Sequence, residues 1–166
     1  MTNEDWAYIA GLFDGEGCVT IKKSKLNRFY SSYGLTISIT NTNKSVLEWV
    51  LKSIKIGKIQ NHPHSNLRAK PCWRWVCYGN RTISFLRNML PYLKIKHKQV
   101  ELGLQFLLKK GNYSKYSGRC PVPPFETQKR ENFKKRMSAL NRGTGAEVEE
   151  IQMVQEDKQS LFMEKL

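Results

Sequence analysis

Apolar residues Trp6, Ile9, Ala10 and Phe13 recur at helical spacing. They predict a first helix capped by Asn3, opened by Glu4 and Asp5, and running to about Gly15. The period then changes to two. Over 18–25, Val19 and Ile21 take one face, while Thr20, Lys22 and Ser24 take the other. Over 27–34 a loop or the start of a strand exposes Arg28, Phe29 and Tyr30. Alternation resumes over 35–40, with Leu35, Ile37 and Ile39 inward and Thr36, Ser38 and Thr40 outward. Val46, Leu47, Val50, Leu51 and Ile54 mark a second helix, begun at Thr42 or Asn43 and stopped by Gly57. A third strand over 56–62 presents Lys58, Gln60 and His62, and a turn over 63–71 carries Arg68 and Lys70. The fourth strand, 72–78, has Trp73, Trp75 and Cys77 on one face and Arg74, Val76 and Tyr78 on the other. Its pattern lets either set point outward.

Asn80 is placed to cap a third helix carrying Ile83, Leu86, Met89 and Leu90, which Pro91 ends. A fourth helix carries Val100, Leu104, Leu107 and Leu108. Residues 111–124 form a linker rich in Gly, Ser and Pro. A basic amphipathic helix over 126–140 places Phe133, Met137 and Leu140 on one face, and Thr144-Gly-Ala-Glu147 opens a last, acidic helix. The order α-β-β-α-β-β-α-α predicts an α+β fold: an antiparallel sheet with helices on one face and a polar second face. The expected division is a core over 1–110, a linker over 111–124 and a helical extension over 125–166.

The stretch Ile9-Ala10-Gly11-Leu12-Phe13-Asp14-Gly15-Glu16-Gly17 organises the rest. Gly11 and Gly15, four apart, leave one helix face without side chains, so another backbone can approach closely. Gly17 suits the left-handed position that closes a helix. Glu16 lies in the last turn, where the helix dipole disfavours an anion. Either a cation sits beside it or the helix has a plain solvated acidic end.

Charge narrows the partner. The formal net charge is +14, and between Gly17 and Val100 sixteen Lys and Arg residues face a single acid, Glu48. Six of the fourteen acids follow Arg142, against that trend. Such a surface selects nucleic acid or an anionic membrane. No apolar stretch approaches the ~20 residues of a membrane helix, and the capped, charged first helix does not read as a secretory signal. Cys18, Cys72, Cys77 and Cys120 form no CxxC pair. A zinc site from His62, His64, Cys72 and Cys77 is disfavoured, because the two cysteines, five apart on a strand, point to opposite faces. Reduced thiols fit an intracellular chain.

The segment Ile9–Gly17 resembles the signature of the LAGLIDADG homing endonucleases, whose repeating unit is αββαββα with a saddle-shaped antiparallel sheet. Leu90-Pro-Tyr-Leu-Lys-Ile-Lys96-His-Lys-Gln99 resembles the segment that carries that family's catalytic-pocket lysine. The likeness covers roughly 5–110. It implies a site-specific, intron-encoded homing endonuclease that breaks both strands of a long pseudo-palindromic DNA target by Mg²⁺-dependent phosphodiester hydrolysis. The alternatives are a DNA-binding regulator or an RNA-splicing maturase with the same fold.

A single motif implies a homodimer packed through the first helix at Ala7, Ala10, Gly11 and Asp14. Each helix would bring Glu16, with Gly15 beside it, to a shared Mg²⁺ that Mn²⁺ can replace. The resemblance gives catalytic-pocket roles to Glu16, Lys96, Asn41 and Lys44, the last falling one position from the family's place. It assigns DNA contacts to Thr20, Lys22, Ser24, Thr36, Ser38, Thr40, Lys58, Gln60 and His62 on the outer face. Lys23, Lys25, Arg28, Arg68 and Lys70 extend the footprint to phosphates, and Tyr30 and Trp75 are further candidates. Double-stranded DNA, a second copy of the chain and RNA are the implied partners, with no membrane. The implied setting is an organelle (chloroplast or mitochondrion) or a prokaryotic cytoplasm.

Overall fold

The structure is a computed structural model that describes residues 1–25, 31–63, 70–109 and 122–143. Helix α1 spans Asn3–Glu16, β1 Gly17–Lys25, β2 Ser31–Asn41, α2 Lys44–Ile54, β3 Lys58–Asn61 and β4 Trp73–Tyr78. Two short 3-10 turns, Gly79–Thr82 and Leu90–Tyr92, flank α3, Ile83–Met89; α4 spans His97–Lys109 and α5 Pro124–Arg142. Arg28, Tyr30, His64, Arg68 and Cys120, most of the expected linker and the expected acidic helix lie outside the described residues.

The strands form one antiparallel sheet in the order β1-β2-β4-β3. Val19, Ile21, Leu35, Ile37, Ile39, Trp75 and Cys77 are buried on one face, where they meet Ile9, Ala10 and Phe13 of α1 and Val100, Leu104 and Leu107 of α4. Register settles the fourth strand. Ile37 pairs with Cys77 and Ile39 with Trp75, so Trp73, Trp75 and Cys77 share the inner face. The expectation that Trp75 meets DNA is therefore corrected: it is fully buried, its ring lies 5.3 Å from that of Phe85, and its Nε1 donates to the Ile56 carbonyl at 3.0 Å. The tryptophan contributes apolar area and its one polar atom is satisfied inside.

Two glycines make that packing possible. Gly57 has φ of +88°, and a Cβ there would stand 2.7 Å from Trp75 Nε1. Gly17, expected in a left-handed closing position, is instead extended, at φ −79° and ψ 156°. Its need is space: a Cβ would lie 2.4 Å from the Phe13 carbonyl oxygen. The chain thus passes from α1 into β1 without an intervening residue.

Other boundaries moved for capping reasons. Thr2, not Asn3, caps α1: its hydroxyl accepts from Asp5 N–H at 3.2 Å while the Asp5 carboxylate takes Thr2 N–H at 2.9 Å. Asn43 caps α2 through Ser45 and Val46 N–H. Asn80 lies within a 3-10 turn and caps nothing by its side chain. Helix α5 joins the same core through Phe133 and Met137, with the Phe133 and Phe106 rings 5.7 Å apart. It also lies along the edge strand β1, where Asn141 Nδ2 donates to the Val19 carbonyl at 2.8 Å.

Candidate active centre and nucleic-acid face

Glu16 ends α1 and is exposed, whereas Asp14 is buried at 8 % exposure. Helical spacing turns Asp14 inward, onto the segment that follows the Leu90–Tyr92 turn. Its carboxylate accepts the backbone N–H of Lys94 at 2.7 Å and of Lys96 at 2.9 Å. Burial alone would raise its pKa. The N–H groups of Lys94, Lys96 and Ile95, together with the Lys96 charge, outweigh burial and hold the carboxyl below its ordinary value. The Lys96 ammonium in turn donates to the Asp14 carbonyl, one of the α1 C-terminal carbonyls that have no partner within the helix. A cation therefore sits at the negative end of α1, two residues from Glu16, and it belongs to the protein itself.

The two remaining pocket candidates are engaged differently. Asn41 Oδ1 accepts Asn43 N–H at 2.8 Å, a local turn that leads into α2. Lys44 pairs with Glu48 at 3.0 Å on the exposed side of α2. At the helix end Glu16 is exposed, and Gly15 beside it is exposed as well. A Cβ built at Gly15 meets nothing within 4 Å. No group of three or more His, Cys, Asp and Glu side chains that would form a metal cluster exists among the described residues.

The outer face of α1 also differs from expectation in two places. Ala7, Gly11 and Gly15 are exposed, and the positions beside both glycines are empty. Ala10 is fully buried and Asp14 holds the Lys94–Lys96 backbone, so both serve this chain's own fold rather than an outward contact. Tyr8, 54 % exposed, joins the open strip and meets Trp49 edge-on at 5.3 Å.

The outer sheet face is assembled by register. Thr20 lies opposite Thr36, which lies opposite Tyr78. Cys18, Ser38, Val76 and Lys58 form the next row, and Thr40, Arg74 and Gln60 the next. Lys22, Ser24, Lys58 and Gln60 are exposed, Thr20, Ser38, Thr40 and His62 half-buried, and Thr36 buried, with Thr20 Oγ1 donating to its carbonyl at 3.4 Å. Lys25 and Lys70 are exposed at the edges.

Lys23 does not extend outward with them. It has the parity of the inner face and bonds Glu131 of α5 at 3.1 Å, with its ammonium 5.4 Å from the Tyr33 ring. Glu131 also takes Lys134 at 2.8 Å and the Tyr33 hydroxyl. Lys134, then Tyr33, hold the Glu131 carboxyl far down, at about 2. This cluster, joined across 98 positions of sequence, clamps α5 to the β1–β2 pair. Local periodicity carries no signal for it. Arg74 is the other functional candidate that the sequence pattern left open, because the face of β4 was ambiguous.

The family profile described as "LAGLIDADG endonuclease" matches residues 9–99. No curated protein sequence matches the chain. Among solved structures, the homing endonuclease I-CvuI in complex with its target in the presence of Ca superposes with a TM-score of 0.67 at 17 % identity, covering 83 % of this chain and 82 % of that one. The archaeal intron-encoded homing endonuclease I-Vdi141I complexed with DNA gives 0.66 at 16 % identity over 83 % and 84 %. The homing endonuclease I-GzeII in complex with its DNA target gives 0.61 at 19 % identity, over 78 % of this chain but 43 % of that one.

Proposed function

Because this chain belongs to the LAGLIDADG endonuclease family, we propose that it is a homing endonuclease that cuts both strands of a specific duplex DNA. The observation that carries the reading is the mutual hold of Asp14 and Lys96, which brings a lysine to the helix end that bears Glu16. The polar outer face of the sheet supports a DNA partner, as do the DNA complexes formed by I-CvuI and I-Vdi141I. The open strip of Ala7, Gly11 and Gly15 supports a homodimer, and the match along almost the full length of both those proteins agrees with one motif per chain.

Within this reading Glu16 and the Gly15 carbonyl are donors to Mg²⁺, or Mn²⁺ in its place. A carboxylate and a carbonyl suit a hard cation that retains waters and binds phosphate. Among the described residues no further carboxylate or imidazole joins them in a metal cluster, so the partner's copy and a DNA phosphate would complete the set. Bound there, the metal supplies a nucleophilic water and charge stabilisation for the leaving 3′ oxygen. Lys96 offsets charge developing at the phosphate. Lys22, Lys58 and Gln60 face the major groove, and Lys25 and Lys70 reach backbone phosphates. The division into a core over 1–110, a linker over 111–124 and an extension over 125–166 serves the same end, with α5 bracing the first strand. The gene lies within an intron whose insertion site is the target.

The test is selection of cleaved sites from a randomised duplex library with Mg²⁺. Wild type enriches one pseudo-palindromic site; Glu16→Gln binds that site and does not cut it. A wild-type chain that binds duplex DNA tightly yet never cuts it with Mg²⁺ or Mn²⁺ would make the protein a binding module instead.

A further inference from the structure

At the Glu16 end of the sheet the central strand carries one arginine on the outer face. Gly17 pairs with Ile39, so the row Thr40–Arg74–Gln60 is the row that borders Glu16. Arg74 stands two strand spacings across from β1, roughly 10 Å. Its guanidinium is held on one side only. Nε donates to Thr40 Oγ1 at 3.2 Å, and Nη2 lies 2.6 Å from His62 Nε2. Arginine has donors and no acceptor, so His62 Nε2 must be the acceptor, and that ring carries its proton on Nδ1. The two contacts use two of five N–H donors. Of the three that remain, one on Nη1 and one on Nη2 point away from Nε and form the end-on fork of the guanidinium.

That fork fits a pair of acceptors side by side. In a major groove such a pair is O6 and N7 of guanine. A side chain fixed by neighbours on its own sheet gives up little rotamer freedom when it binds, so discrimination survives that would otherwise be lost to ordering. Phosphate alone would not require Thr40 and His62 to orient the plane.

Resting on the reading of this chain as a DNA endonuclease, we propose that Arg74, oriented by Thr40 and His62, reads a guanine in each half-site close to the cleavage position. Arg74 is a specificity residue; Thr40 and His62 are positioning residues for it.

The experiment is selection from a randomised duplex library using the full chain, with Ca²⁺ replacing Mg²⁺ so that bound sites are recovered intact. Wild type enriches a motif with guanine at one position of each half. Arg74→Ala lowers discrimination at that position about tenfold or more and leaves the others unchanged. Arg74→Gln moves the preference there toward adenine, the base whose N6 and N7 match an amide; a structural role would produce no such switch. His62→Ala weakens the same position to a smaller degree, and His62→Gln, which keeps an acceptor, restores it. An unchanged guanine in both Arg74 variants, or a loss spread evenly over all positions, overturns the assignment while the endonuclease reading stands. A wild-type chain that enriches no duplex overturns that reading, and this inference with it.

Discussion

The Asp14 carboxylate grips the backbone N–H of Lys96 at 2.9 Å while the Lys96 ammonium returns to the Asp14 carbonyl. Each residue fixes the other, so the pair behaves as a clasp between the end of α1 and the segment leading into α4. Asp14→Asn keeps one acceptor oxygen and removes the charge. It is expected to lower stability by about 1–3 kcal/mol, the range for a buried donor left short of a partner. A lysine displaced by an ångström should slow cleavage by roughly 10²-fold. Urea unfolding and single-turnover cleavage of the selected site measure the two losses separately.

Acid should loosen the α5 clamp. The Glu131 carboxyl sits at about 2 in the folded chain against 4.5 ordinarily, and Asp14 is also lowered. The unfolded chain therefore binds more protons in that window, and stability is fully present above about pH 4.5 and drains away as pH falls toward 2. Glu131→Gln should be less stable at pH 7 and lose less between pH 5 and pH 3 than wild type. Urea midpoints at these pH values give the slope; equal slopes for both chains would place the acid sensitivity elsewhere.

Filling the bare strip of α1 should separate folding from assembly. A side chain at Gly11 has open space in the single chain. Gly11→Leu is expected to keep thermal stability of the monomer near wild type, abolish the dimer in sedimentation velocity and abolish double-strand cutting.

Gly57 is different in kind. Gly57→Ala forces a Cβ against the Trp75 indole at a φ of +88°. A loss of about 2–3 kcal/mol is expected, accompanied by a changed tryptophan emission spectrum.

Trp75→Phe tests which face of β4 is inward. It leaves the Ile56 carbonyl without its 3.0 Å donor and thins the contact with Phe85. About 2–4 kcal/mol of stability should go, with the base preferences of the folded protein unaltered.

What could be read in the chain, and what could not, follows the range of the forces involved. The alternation of Val19 and Ile21 with Thr20 and Lys22, and of Leu35, Ile37 and Ile39 with Thr36, Ser38 and Thr40, is local, and the structure keeps both faces as read. In β4 each face carries an aromatic, Trp75 on one side and Tyr78 on the other. Only pairing with β2 distinguishes them. The resemblance assigns Asp14 to the contact between helices, and helical spacing alone does not reveal its inward partners, which lie 80 and 82 residues away. Lys23 reads as one more surface base in the sequence, because its partner Glu131 lies 108 residues on. The sequence suggests a turn geometry for Gly17, whereas its need is bare volume beside Phe13.

The direct passage from Glu16 to Gly17 leaves no slack between the acidic helix tip and the first strand of the sheet. A rotation of β1 would pass directly to the helix tip, because a single peptide bond joins them. On the nuclease reading, a duplex whose groove is slightly too wide or too shallow tilts β1 and swings Glu16 off the phosphate by the same rotation. Sequences that are tolerated at the level of association would then be rejected at the level of scission, and the safeguard against stray breaks would come from a joint of zero length.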